Sequence, residues 1–125
     1  MDTPASELLR IGIAAAADKR ASDITALDLR EISSVTDSFI ICSGSSDTNV
    51  RAIADAVREK LREAGVKPFG VEGYREGTWI LMDYIDFVFH IFHFEKRLTF
   101  ALEDLWKDAP RLPVDAAAPA ATEGP

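Results

Sequence analysis

The chain has 125 residues, of which 47% are hydrophobic and 28% are charged, and its formal net charge is −7. This composition is typical of a soluble globular domain, and no apolar run approaches the roughly 20 residues that a membrane-spanning helix requires. The negative charge disfavours direct binding to nucleic acid, because Lys and Arg must displace the counterions of the phosphates. A basic protein partner matches the charge better.

The single cysteine, Cys42, rules out an internal disulfide and is typical of a reducing compartment. Because Cys42 lies within an apolar run, a packed thiol is expected rather than a reactive one. The first residues lack the basic start and the apolar core of a signal peptide. Together these observations predict a cytoplasmic location.

The first elements of the chain are a helix and a short strand. Thr3 is a good N-cap, and Pro4 suits the first helical position because its missing N–H would be unpaired there anyway. Apolar residues predict that this helix runs to about Arg20. The imperfect alternation of apolar and polar residues over 23–28 then predicts a short strand.

A second strand and the most regular helix follow. The continuous apolar run 39–42 is typical of a strand buried on both faces. Apolar residues at helical spacing predict an amphipathic helix that begins at Ser46 or Asp47 and ends at Gly65. A strand, a tight turn and a helix in this order indicate a crossover to a parallel strand.

The next part of the chain predicts an edge strand and a hairpin. Residues 67–71 suit a short strand or extended link, and Pro68 confines it to an edge or a strand start. Two apolar runs, 78–82 and 87–92, predict hairpin strands that are joined through the turn 83–86.

The last predicted element is a helix from about Phe94 to Trp106, with apolar residues on one face. Residues 109–125 are rich in Ala and Pro and lack apolar periodicity, which predicts a disordered tail. The sequence therefore predicts one α/β domain over residues 1–108, with a mixed sheet of about five strands and flanking helices.

The turn Gly44-Ser45 before a helix is the most enzyme-like feature. Nucleotidyltransferases hold triphosphate at such a helix N-terminus, and they also need carboxylates, typically as Asp-x-Asp, for their metal ions. Here the next acids are Asp47 and Asp55, and no Asp-x-Asp pair follows on a strand. A structural turn with helix capping is favoured, and a nucleotidyltransferase-like enzyme is the alternative.

Asp83 and Asp86 flank the hairpin turn, and His90 could complete a metal site with them. Turn chemistry or contact with a basic partner explains the two acids better. His90 and His93 lie three residues apart, which places them on opposite faces of a strand, so zinc is disfavoured. A hydrogen-bonded His90 within the sheet is expected instead, with no metal, no cofactor and no catalytic residue.

An aromatic and aliphatic strip lies beside these acids. Trp79 and Leu81 should share one face of their strand, and Ile80 and Met82 the other. Large aromatics and Met are frequent both in cores and at the centres of interfaces. Taken alone, the strip favours core packing, and partner contact is the alternative.

Several stretches of the chain match the pattern of one family. The longest are 36–47 (TDSFIICSGSSD) and 77–86 (GTWILMDYID), and others are 23–30, 50–55, 72–73, 90–93 (HIFH), Arg97 and 102–106 (LEDLW). In this order and spacing they resemble the Iojap-like ribosomal silencing factors. The resemblance implies a nucleotidyltransferase-like α/β fold without that fold's catalysis.

The resemblance also implies binding to the large ribosomal subunit through a basic ribosomal protein, large-subunit ribosomal protein fourteen. Occupying that protein would sterically block joining of the small subunit and repress translation under nutrient limitation. The resemblance reverses the preference for core packing of the strip. The partner-binding residues that it implies are Trp79, Leu81, Met82, Tyr84, Asp83 and Asp86. Spare hydrophobic surface and edge strands also allow a homodimer.

The chain departs from the family pattern in the hairpin turn, where Ile85 stands at a position that is usually Gly. A different backbone is therefore expected in this turn. Two further departures are Ser38, where Tyr is common, and Thr99-Phe100 in place of an aromatic pair.

Overall fold

A computed structural model describes residues 4–32, 34, 36–100 and 109–112, and these residues form one mixed sheet with flanking helices. The helices are α1 (Ala5–Asp18), α2 (Asp47–Glu63) and α3 (Phe94–Phe100). The strands are β1 (Ser22–Asp28), β2 (Ser38–Gly44), β3 (Gly70–Glu72), β4 (Trp79–Asp83), β5 (Phe87–His93) and β6 (Arg111–Leu112). The predicted α/β domain with a mixed sheet is confirmed.

The sheet has six strands in the order β3-β4-β5-β2-β1-β6. The central pair, β2 and β5, is parallel, and the other neighbouring pairs are antiparallel. The crossover predicted after β2 is confirmed, although β3 and β4 precede the strand that pairs with β2. β3 lies at the edge of the sheet, as was predicted from Pro68.

The end of the described chain differs from the predicted tail. Arg111 and Leu112 pair with β1 as a sixth strand, and the N–H of Asp28 donates to the carbonyl oxygen of Pro110 at 2.7 Å. Ala109 is buried beside them. The disorder predicted from composition is therefore wrong for 109–112, because these residues pair with an otherwise open strand edge.

Residues 113–125, for which disorder stays a prediction, lie outside the described residues. The second half of the predicted last helix, 101–106, lies outside them as well. Among the described residues, no helix is long and apolar enough to cross a membrane.

Local backbone geometry sets the ends of the two long helices. α1 stops at Asp18 and not at Arg20, because Arg20 takes a φ of 67°. The predicted start of α2 is confirmed, since Ser46 Oγ accepts a hydrogen bond from the N–H of Asn49 at 3.0 Å. Gly65, with a φ of 93°, follows its last turn. The cap at Ser46 stabilises α2 by about 1 kcal/mol.

The two faces of the sheet differ in how they are covered. α1 and α2 pack on one face, which we call the helix-covered face, and its apolar residues, such as Ile40, Phe89 and Ile91, are fully buried. Cys42 lies among them, and burial raises the pKa of its thiol to about 12, so the predicted packed thiol is confirmed.

α1 approaches the sheet closely at Gly12. A Cβ added there would lie 2.5 Å from Cζ of Phe89, so the ring of Phe89 occupies the space that a side chain on α1 would need. This contact joins the helix to the centre of the sheet, because Phe89 pairs with Ile40 of β2 and with Met82 of β4.

The opposite face carries a smaller apolar cluster, and the described residues cover it only in part: Phe39, Trp79 and Leu81 are half-buried, whereas Ile41 and Phe92 are fully buried. Arg97 of α3 donates to Ser43 Oγ at 3.0 Å, so α3 covers one end of it. We call the remainder the open face. Strand register and alternation assign to it Phe39, Ile41, Trp79, Leu81, Asp83, Val88, His90 and Phe92.

Candidate partner-binding face

The alternation of β4 divides the predicted partner-binding residues between the two faces of the sheet. Trp79, Leu81 and Asp83 are half-buried on the open face. Ile80 and Met82 are buried on the helix-covered face. The predicted division of Trp79 and Leu81 from Ile80 and Met82 is therefore confirmed.

Met82 and Tyr84 had been expected to contact a partner, and the structure places both in the core. They are 1% and 6% exposed, respectively. The ring of Tyr84 stacks on Phe87 with centroids 5.2 Å apart, and burial raises the pKa of its hydroxyl to about 12. Both side chains lie on the helix-covered face, so a partner docked on the open face would not reach them.

Asp83 and Asp86 lie in and beside the hairpin turn. Asp83 Oδ1 accepts a hydrogen bond from the N–H of Ile85 at 2.8 Å, which confirms the turn chemistry predicted for this acid. Asp86 is exposed. The two acids thus leave negative charge at one end of the open face. Among the described residues, no group of three His, Cys, Asp or Glu side chains could hold a metal ion.

The same turn holds Ile85 at a φ of 73°. This left-handed backbone is the conformation that Gly adopts readily, and a difference from the family's turn stays a prediction. The consequence of Ile at this position is strain. For a β-branched residue the left-handed conformation costs on the order of 1–2 kcal/mol.

Trp79 is held in place by two side chains of β5. Its indole Nε1–H donates to His90 Nδ1 at 3.1 Å, and its ring stacks on Phe92 with centroids 5.1 Å apart. Because Nδ1 accepts this bond, the neutral imidazole carries its proton on Nε2. The hydrogen-bonded His90 predicted within the sheet is confirmed.

His90 is 3% exposed, and burial lowers its pKa to about 4. The ring of Phe39 packs edge-on against the imidazole, with centroids 4.5 Å apart. Buried His90 Nε2 has no hydrogen-bond partner among the described residues. An unsatisfied buried donor costs about 1–3 kcal/mol, which offsets part of what the hydrogen bond from Trp79 and the packing of Phe39 contribute.

Folding should become less favourable in acid because of His90. The folded chain keeps His90 neutral down to about pH 4, whereas the unfolded chain protonates it near the ordinary value of 6.5. In this window the unfolded state binds more protons, so stability falls as the pH falls. Between about pH 7 and about pH 4.5 we expect a loss of about 2 kcal/mol from this group.

Urea unfolding of the parent and of His90→Leu at both pH values measures this loss. The carboxylates titrate alike in the two proteins, so the difference between their acid losses isolates His90. Equal losses in the two proteins would show that His90 does not carry the effect.

The predicted turn Gly44-Ser45 is filled by a side chain of α2. The N–H of Ser45 donates to Asn49 Oδ1 at 2.9 Å, and Asn49 Nδ2 donates to the carbonyl oxygen of Lys19 at 3.0 Å. A Cβ added at Gly44 would lie 2.8 Å from Cγ2 of Val50. The predicted structural turn with helix capping is confirmed, and a triphosphate here would have to displace the Asn49 amide.

Sequence reasoning missed His90 and Phe92 as the residues that hold Trp79, and Phe39 as the ring that packs on His90. These residues lie on β2 and β5, and their place around the indole depends on register across three strands. Alternation within each strand does not show that Phe39, His90 and Phe92 share a face. That conclusion also requires the order of the strands in the sheet.

The described residues define a small α/β domain whose sheet they cover with helices on one side and only in part on the other. A family profile described as "Ribosomal silencing factor during starvation" matches residues 2–124. The chain belongs to this family, which confirms the resemblance drawn from its motifs.

Relatives and solved structures agree with this assignment. The chain is 45% identical over 108 residues to "Ribosomal silencing factor RsfS" of Bacillus subtilis, covering 86% of this chain and 92% of the relative. It is 32% identical over 98 residues to "Protein Iojap, chloroplastic" of Zea mays, covering 76% of this chain and 41% of the relative. A crystal structure from Chromobacterium violaceum superposes with a TM-score of 0.82 at 34% identity, covering 84% of this chain and 88% of that one.

Proposed function

We propose that this chain is a cytoplasmic silencing factor that binds the large ribosomal subunit through a basic ribosomal protein, large-subunit ribosomal protein fourteen. Bound there, it sterically blocks joining of the small subunit and represses translation under nutrient limitation. It acts by binding and not by catalysis. The observation that carries the proposal is the half-buried apolar surface around Trp79 and Leu81 in a chain of this family.

The arrangement of apolar and acidic side chains suits a basic protein. Trp79 and Leu81 form an apolar centre, and the residues beside it are acidic. Glu72 pairs with Leu81 across the edge strand and is exposed, Asp83 is half-buried, and Asp86 is exposed. An interface of this kind combines an apolar centre with a charged rim, and its charges speed the encounter with a positive surface.

The rigid setting of Trp79 also favours binding. An aromatic side chain that is already fixed loses little conformational entropy when a partner packs on it. The hydrogen bond to His90 and the stacking on Phe92 fix the indole before any partner arrives. Trp side chains held in this way are frequent among residues that dominate binding energy.

A pull-down against separated ribosomal subunits in moderate salt tests the proposal. The tagged chain should retain isolated large subunits and should fail to retain assembled ribosomes or small subunits. Retention should weaken as salt is raised, since the rim charges are screened. Equal retention of assembled ribosomes would contradict the steric block, and no retention of large subunits would contradict the partner.

The alternative function, nucleotidyl transfer at the Gly44-Ser45 turn, gives a separate expectation. Because the Asn49 amide fills this turn, we expect no rise in Tm with millimolar nucleoside triphosphate and magnesium. A nucleotide at a hundred times its Kd would stabilise the folded chain by about 2.7 kcal/mol, which a thermal melt detects readily. A clear rise in Tm that Asn49→Ala enlarges would favour the enzyme.

A homodimer stays a prediction. Sedimentation velocity over a range of concentrations tests it on the same samples, and a dimer that dissociates when large subunits are added would place the two interfaces on overlapping surfaces.

A further inference from the structure

Ile85 combines a strained backbone with an exposed apolar side chain. It is a β-branched residue at a φ of 73°, and the residue is 53% exposed. Three hydrogen bonds hold the turn. The N–H of Ile85 donates to Asp83 Oδ1, and the N–H of Tyr84 donates to the carbonyl oxygen of Phe87. The N–H of Asp86 donates to the carbonyl oxygen of Tyr84. None of them uses the Ile85 side chain, so Gly could make the same turn without strain.

A second exposed apolar side chain lies at the same end of the sheet. Phe69 is 78% exposed, and its N–H donates to the carbonyl oxygen of Asp83 at 2.7 Å. Gly70 pairs with Asp83, so Phe69 and Ile85 lie just beyond this pair on neighbouring segments. We call these two residues the apolar tip.

The turn that carries Ile85 adjoins the surface proposed to bind the ribosomal protein. Asp83 belongs to the open face and also to the turn that carries Ile85. Asp86, on the other side of Ile85, is exposed. The tip is therefore apolar and is flanked by two carboxylates, as the surface around Leu81 is.

We propose that the apolar tip is a further contact for the same basic protein partner, and that Ile85 is retained in a strained backbone because its side chain adds affinity. This inference rests on the proposed function. Its occupant is a segment of the partner that offers an apolar side chain flanked by Lys or Arg. Charge argues against a second copy of this chain, because two tips of a molecule with a net charge of −7 would bring carboxylates together.

Replacing Ile85 with Gly separates folding from binding. We expect Ile85→Gly to raise the urea midpoint or Tm slightly, because the strain is relieved, and to weaken binding to isolated large subunits about tenfold. Ile85→Asn tests the side chain itself, since Asn tolerates the left-handed backbone but is polar. It should weaken binding to a similar extent. Phe69→Ser should weaken binding as well.

Phe94→Ala is the matched control, because Phe94 is also 53% exposed but begins α3 at the other end of β5. It should leave affinity within about twofold of the parent. Unchanged affinity in both Ile85 variants would overturn the apolar tip, and the proposed function would survive if a substitution at Leu81 still abolished binding. Lowered stability of Ile85→Gly would overturn the argument from strain. A dimer that Ile85→Gly dissociates would identify a second copy as the occupant and also overturn the proposal.

Discussion

Leu81→Arg should abolish the retention of isolated large subunits in a pull-down while leaving the fold intact. Leu81 is half-buried near the centre of the open face, between Glu72 on the edge strand and His90 on β5. Arg there can extend toward solvent and toward Glu72, so the domain should fold. At the proposed interface it would replace an apolar contact with a charge that repels a basic partner, which costs more than 2 kcal/mol, or about 30-fold in Kd.

Glu63→Gln provides a control with the same change of net charge. Glu63 lies on α2, its side chain is 52% exposed, and its ion pair with Lys60 is 3.7 Å long, so its loss should affect neither folding nor binding. If Leu81→Arg and Glu63→Gln bind large subunits equally well, the open face is not the binding surface, whatever the partner is.

Phe89→Ala should produce the largest loss of stability among single substitutions in the described core. Phe89 is fully buried, and its ring lies against Gly12 of α1 and between Ile40 and Met82 of the sheet. Removing the ring leaves a cavity under α1, and such substitutions cost about 3–5 kcal/mol. Urea unfolding at neutral pH measures this loss, and Phe94→Ala, at an exposed position, should change stability by less than about 0.5 kcal/mol.

The contact with Gly12 makes the same prediction testable from the helix side. Gly12→Ala would push a methyl group into the ring of Phe89, and overpacking of this kind costs about 1–3 kcal/mol despite the better helix propensity of Ala. Combined with Phe89→Leu, Gly12→Ala should cost less than it does alone. Additive losses would mean that the two positions do not share the space that the structure assigns to them.

The elements whose side chains follow a strong local period could be predicted from the sequence. α2, with its apolar stripe and its cap at Ser46, and β2, with its continuous apolar run, are examples. β6 could not be predicted, because a two-residue strand forms only where a partner edge is free. Ala109 and Leu112 pack on the apolar clusters of the sheet, and this packing depends on contacts that are distant in the sequence.

The candidate site was predictable only where its residues follow the local alternation of a strand. Alternation along β4 correctly separated Trp79 and Leu81 from Met82, whereas the family resemblance assigned the whole strip to the partner. The local rule gave the faces correctly, and contact of the strip with a partner stays a prediction. The strain at Ile85 and the fixing of Trp79 by His90 depend on backbone angles and cross-strand register, which the sequence does not display.

β6 bears on the risk of aggregation at the edges of the sheet. β1 would otherwise present a seven-residue edge, the kind of template on which other chains stack. β6 pairs with Ala26 and Leu27 of β1. The other end of β1 is irregular, because its register shifts between Ser22 and Thr25 and Asp23 has a φ of 49°. The opposite edge, β3, is only three residues long. Over the described residues, neither border of the sheet therefore offers a long, regular ladder, and the apolar open face need not invite growth along the sheet.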